Sequence, residues 1–119
     1  MIKYHHTNCN IIVAEITDVP VPIDTADTIL DIMAEVGYHK CSRMIMYDRN
    51  LSRDFFDLKT GVAGEILQKF SNYRMKLAIV GDYSGFTSKS LKDFIRESNR
   101  QKTILFVNSF DEAMALLSD

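Results

Sequence analysis

A chain of 119 residues has the length of one domain and is too short for two ordinary ones. With 46% hydrophobic and 25% charged residues it has the composition of a globular protein that buries a core without disulfides or metal. Its formal net charge of −2 provides no global field to recruit nucleic acid or an anionic membrane, and neither partner is expected. The two cysteines, Cys9 and Cys41, form no Cys-x-x-Cys pair and read as reduced thiols. With no signal-peptide profile at the start and no apolar run of bilayer length, a cytoplasmic location is expected.

Ile2 to Thr7 and Ile11 to Ile16 read as two strands of a hairpin around Asn8-Cys9-Asn10. The second is apolar on both faces and belongs inside a sheet. Val19-Pro20-Val21-Pro22 is a loop, because proline removes a donor and disfavours helix before it. Asp24 is the expected N-cap of a helix whose stripe is Ala26, Ile29, Leu30, Met33 and Val36, and Gly37 is its expected left-handed stop.

Met44 to Tyr47 reads as a third strand, and residues 49 to 57 as the longest irregular stretch. A helix follows the Thr60-Gly61 turn and runs to about Tyr73, with Val62, Ile66 and Phe70 on one line and Ala63 and Leu67 beside it. Lys76 to Val80 is a fourth strand ending in Gly81-Asp82. The loop Tyr83 to Thr87 leads to a helix from about Ser88 to Asn99 that packs Leu91, Phe94 and Ile95. Thr103 to Val107 is the last strand, and Ser109 with Glu112 forms a capping box for a helix through Leu117.

The order ββαβαβαβα predicts a single α/β domain over residues 1–119, with a mixed, mostly parallel five-stranded sheet and four helices. Right-handed crossovers place the loops after strands three, four and five along one edge of the sheet, where such folds bind ligands. Asp48, Asp54, Asp57, Thr60, Asp82 and the 83–90 loop are expected to converge there.

The run from Asp54 to Asp82, beginning Asp-Phe-Phe-Asp-Leu-Lys-Thr-Gly-Val-Ala-Gly-Glu-Ile and closing on Leu77-Ala78-Ile79-Val80-Gly81-Asp82, resembles an uncharacterised family of small bacterial proteins, domain of unknown function 4180. The segment Thr87 to Phe94 fits it too, so the resemblance covers nearly the whole chain and implies no activity. A more distant likeness is to STAS domains of the anti-sigma-factor antagonist type, which share this order of elements. It implies a STAS-like fold with a phosphorylatable hydroxyl before a glycine at a helix start, and a helix that docks on a partner kinase. Thr60-Gly61 matches the phosphoacceptor and glycine, whereas Lys59 departs from the motif and a long segment separates the strand from the turn.

The expected role is therefore a non-enzymatic regulatory or protein-binding module acting through the helix that starts near Thr60. Its ligand- or partner-binding residues are Phe55, Phe56, Asp57, Lys59, Thr60, Gly61, Gly64, Asp82, Tyr83, Phe86 and Ser88. Phosphate on Thr60 adds about −1.5 to −2 charges where a helix N-terminus accepts them, although a hydroxyl there also serves as a plain cap. The first alternative is a carrier of an apolar or anionic small molecule, with Phe55, Phe56, Tyr83 and Phe86 as its walls. The second is a small Mg²⁺-dependent hydrolase using Asp48, Asp57 and Asp82, though aspartates are equally common in turns and caps. No cofactor is expected. His5 and His6 point to opposite faces of a strand and cannot chelate together, and His39 with Cys41 falls short of a metal site. Basic residues from Lys89 to Lys102 are interleaved with Asp93 and Glu97, the pattern of a solvated face. Homodimerisation through an edge strand or a helix face remains open.

Overall fold

A computed structural model describes residues 1–7 and 9–118. It contains five strands, β1 (Ile2–His6), β2 (Ile12–Ile16), β3 (Arg43–Tyr47), β4 (Lys76–Val80) and β5 (Ile104–Val107). The helices are α1 (Ala26–Tyr38), α2 (Arg53–Phe56), α3 (Val62–Asn72), α4 (Lys89–Gln101) and α5 (Phe110–Leu117). All nine elements read from the sequence are present. The single turn α2 and two 3₁₀ turns, Asp48–Asn50 and Leu58–Thr60, occupy the stretch expected to be irregular.

The strands lie in the order β1-β2-β3-β4-β5, with β1 antiparallel to β2 and every other pair parallel. Thr7 donates to the Ile11 carbonyl at 2.9 Å to close the β1–β2 hairpin; Asn8, expected in its turn, lies outside the described residues. Steady progression across the sheet has a geometric consequence. Successive right-handed crossovers in one direction place their helices on one face. Side chains alternate along each strand, so Ala14, Met44, Met46, Leu77, Ile79 and Phe106 share one core with α1 and α3. Val13, Ile45, Ala78, Leu105 and Val107 face the other way and pack on Ala113 and Leu117 of α5.

Two cap assignments are corrected. Thr25, not Asp24, is the N-cap of α1 and accepts from the Thr28 amide at 3.4 Å. Gly37 lies inside the helix; the left-handed residue is Lys40, at φ 59°. The chain keeps one more helical turn because Val36 is fully buried and the His39 amide can still bond back to it at 3.1 Å. Ser109 accepts from the Glu112 amide at 3.1 Å, but the Glu112 carboxylate reaches the Asn108 amide rather than that of Ser109 itself. Among the described residues no helix is long and apolar enough to cross a membrane.

Candidate functional site at the carboxyl edge of the sheet

The start of α3 is built by three short pieces of chain. Asp57 accepts from the Lys59 amide at 3.2 Å and thereby opens the 3₁₀ turn that carries Thr60. The Thr60 hydroxyl lies 2.6 Å from the Asp54 carbonyl and 2.8 Å from that of Asp57, so its one proton is committed to the backbone. Its oxygen accepts from the Val62 amide at 3.3 Å. Gly61, at φ 79°, is the N-cap and supplies a backbone conformation that favours glycine. Thr60 thus precedes the cap position, with Lys59, Thr60, Gly61 and Gly64 all exposed.

Gly64 has neither of the usual reasons to be glycine. Its φ is not positive, and a Cβ there would meet nothing within 4 Å. A glycine inside a helix costs about 0.5–1 kcal/mol relative to alanine. Gly81 is the opposite case, because a Cβ would fall 2.7 Å from Asp48 Oδ2.

Beside this helix start stands an aromatic cluster. Phe55 is fully buried and meets Phe56 edge-on at 5.0 Å. Phe56 stacks on Phe86 at 5.3 Å, Phe86 on Tyr83 at 6.2 Å, and Tyr83 meets Phe106 of β5 at 5.5 Å. Such contacts add about 0.5–1.5 kcal/mol each beyond area burial, so the cluster ties the 83–87 loop to α2. Tyr83 donates to the Ile79 carbonyl at 2.6 Å. Burial, reinforced by the nearby Asp48 charge, pushes its phenol well above the ordinary value of 10.0. Tyr83 is therefore a neutral structural donor, and Phe55 supports the loops from beneath.

Phe56 and Phe86 wall an open cleft of about 590 Å³, with Leu51 on its apolar side and Asp48, Arg49, Arg53 and Asp57 around it. Ser52 lines the same cleft, and its Oγ is buried with no hydrogen-bond partner.

The expected carboxylates do not act as a unit. Among the described residues no three His, Cys, Asp or Glu side chains gather in a group able to hold a metal ion. Asp48 lies over Gly81, while Asp82 turns back to accept from the Ser84 amide at 3.0 Å and the Ser84 hydroxyl at 2.7 Å. Those bonds, the hydroxyl's first, hold the Asp82 carboxyl below the usual range. Ser88 caps α4, accepting from the Leu91 amide at 3.2 Å. The Mg²⁺ hydrolase reading thus loses the clustered aspartates on which it depended.

One polar network was not anticipated, because its members lie far apart in sequence. On the α5 face of the sheet, His5 Nε2 is 2.9 Å from one Glu15 oxygen and the Tyr47 hydroxyl donates to the other at 2.6 Å. The Arg49 guanidinium lies 4.4 Å over the Tyr47 ring. Burial raises the Glu15 pKa, but the Tyr47 and His5 bonds and the charges of His5 and Lys3 outweigh it, leaving the carboxyl below its usual range. Burial first, then the bond to Glu15, pushes the Tyr47 phenol up to about 12. Strand register could have offered a partial signal, since Lys3 and Glu15 are direct cross-strand partners.

Comparison with known proteins assigns the chain without assigning an activity. Residues 8–117 match the family described as Domain of unknown function (DUF4180), and the chain belongs to that family. No curated protein and no solved structure matches it.

Proposed function

We propose that this member of the family is a non-enzymatic protein-binding module, regulatory in role, whose docking surface is the start of α3. The carrying observation is the place of Gly64, an exposed glycine that, like Gly37 in α1, neither conformation nor packing requires, but that lies on the first turn of α3 next to Thr60. A side chain-free patch on the first turn of a helix lets a partner's backbone approach closely. Thr60 and Lys59 border it, and Phe56 and Phe86 provide an apolar wall in the adjoining cleft.

Phosphorylation of Thr60 fits this surface as a switch. It would remove the hydroxyl proton now shared between the Asp54 and Asp57 carbonyls and place a dianion at the α3 N-terminus beside Lys59. The order of elements shared with STAS-like domains supports the same reading. The test is quantitative retention of host proteins on the immobilised domain, followed by titration of any captured partner. Wild type should retain a partner that Thr60→Glu and Gly64→Arg release, with unchanged circular dichroism. Equal retention by all three proteins would refute the reading.

The small-molecule reading is favoured by one separate observation, the orphaned Ser52 hydroxyl in the cleft beside Arg53. Native mass spectrometry of protein purified from its host distinguishes the two. Mass lost on denaturation supports a carried ligand, and mass retained and mapped to Thr60 supports the switch.

A further inference from the structure

The steady strand order leaves β1 as an open edge, with α1 the helix packed nearest to it. Between them lies a groove of about 710 Å³ whose floor and sides include Ile2, Tyr4, Ile16, Val19 and Ile32. Tyr4 closes one end, its hydroxyl 2.9 Å from His39 Nδ1. At the other, Val21 is 69% exposed.

The charge on this groove has one sign along α1. Asp31 and Glu35 line it, and Asp27 stands one turn earlier, so carboxylates recur at i, i+4 and i+8. The helix Ala26–Tyr38 contains no Lys or Arg. The ion pair found to this stripe is Glu35 with His39 at 3.8 Å, which is charged only when the imidazole is protonated. Like charges at i, i+4 weaken a helix, so this stripe opposes the element that carries it. Asp18, also on the groove, pairs with the Met1 amino group at 2.8 Å.

We propose that the groove between β1 and α1 receives an amphipathic helix of a partner protein, with apolar residues facing Ile2, Tyr4 and Ile32 and Lys or Arg facing Asp27, Asp31 and Glu35. A helix laid along α1 matches the acidic rows turn by turn, because residues four apart recur about every 6 Å along both axes. Its apolar face would cover the part of the sheet beside α1, as helix-in-groove ligands do. Electrostatic complementarity of this kind selects basic partners and sets register more than it sets affinity. The site is separate from the α3 surface and stands or falls independently of it.

The probe is a fluorescein-labelled amphipathic peptide of about 18 residues, leucines at i, i+3, i+4 and i+7 flanked by lysines, titrated at physiological ionic strength. The comparison peptide has the same composition in scrambled order. The proposal requires the amphipathic peptide to bind at least about tenfold tighter than the scrambled one, and Asp31→Lys/Glu35→Lys to weaken it by about tenfold or more. Amide shifts on binding must centre on Ile2, Tyr4, Val21 and Ile32. Equal binding of both peptides would reduce the stripe to non-specific charge, and shifts centred on Thr60 would move the site to α3; either overturns the proposal. Sedimentation supplies the remaining arm. A dimer of the free protein that Ile32→Asp dissociates would assign the groove to a second copy of the chain and overturn it too.

Discussion

Helices α1 and α4 are each 13 residues long and both rest an apolar stripe against the β-sheet, yet they treat their charges in opposite ways. In α4, Asp93 receives both Lys89 and Arg96 at 3.0 Å, and Glu97 receives Arg100. Each acid has a basic neighbour three or four residues away, the arrangement that supports a helix on its own. In α1, Asp27, Asp31 and Glu35 repeat at the same spacing with no Lys or Arg in the helix. Surface pairs are individually weak, so the difference is not one of large energies. It concerns what each surface is for. Acids already paired within their own helix need nothing further, whereas an acidic stripe beside an apolar groove is complementary to something else.

The largest expected effect probes what the two helices share. Ile29 of α1 is fully buried and Leu91 of α4 is 3% exposed. Alanine at Ile29 should cost about 2–5 kcal/mol in urea denaturation, and Leu91→Ala should fall in the same range. A negligible loss for Ile29→Ala would mean that α1 is not held by its apolar face, and the contrast in charge would lose its meaning.

A second prediction asks how a well-partnered carboxylate behaves when pH changes. The Glu15 pKa is lowered in the folded protein, so its contribution is present above the unfolded value and lost as pH falls through the folded one. The Tyr47 phenol is raised from 10.0 to about 12, so its contribution is complete below 10.0 and lost as pH rises to about 12. Thermal melts of Tyr47→Phe should show a smaller stability loss across that alkaline window than wild type. An unchanged alkaline profile would show that the buried Tyr47 phenol does not set it.

Smaller effects separate functional cost from structural need. Gly64→Ala should stabilise the protein by about 0.5–1 kcal/mol, because its Cβ meets nothing and alanine favours helix. Asp31→Lys should also stabilise, by about 0.2–0.5 kcal/mol for each of the two i, i+4 relations it converts to attraction. Asp93→Asn in α4 should shift stability the other way, by a small amount, because it removes the partner of both Lys89 and Arg96. Opposite signs for Asp31 and Asp93 sharpen the comparison, and matching signs would break it.

Much of the fold is legible in the sequence for a simple reason. Runs such as Leu77 to Val80 and Leu105 to Val107 are apolar on both faces, which buried parallel strands require. Local signals at helix ends were less decisive. Asp24 and Thr25 are both good caps, and only the bond to the Thr28 amide distinguishes them. Gly37 misleads because Lys40 can adopt the left-handed conformation three residues later. A single turn such as α2 is too short to show a period, although buried Phe55 makes it part of the core.

The candidate sites divide along the same line. Phe56, Asp57 and Phe86 meet around one cleft, as the order of elements implied, since loops following parallel strands share an edge. The His5–Glu15–Tyr47 network and the groove beside α1 were not visible. The first joins residues 32 positions apart through strand register. The second exists because steady strand order leaves β1 at the edge of the sheet with α1 alongside it, bringing together residues far apart in sequence.

Both proposed surfaces contain a residue that the fold alone would be better without, Gly64 on α3 and Asp31 on α1. The direct test is the urea midpoint of the Gly64→Ala/Asp31→Lys double variant. A midpoint higher than that of either single variant, with an unchanged slope, is predicted, showing that both residues are kept at the expense of stability. A lower midpoint would show that they serve the fold itself, and would contradict the account.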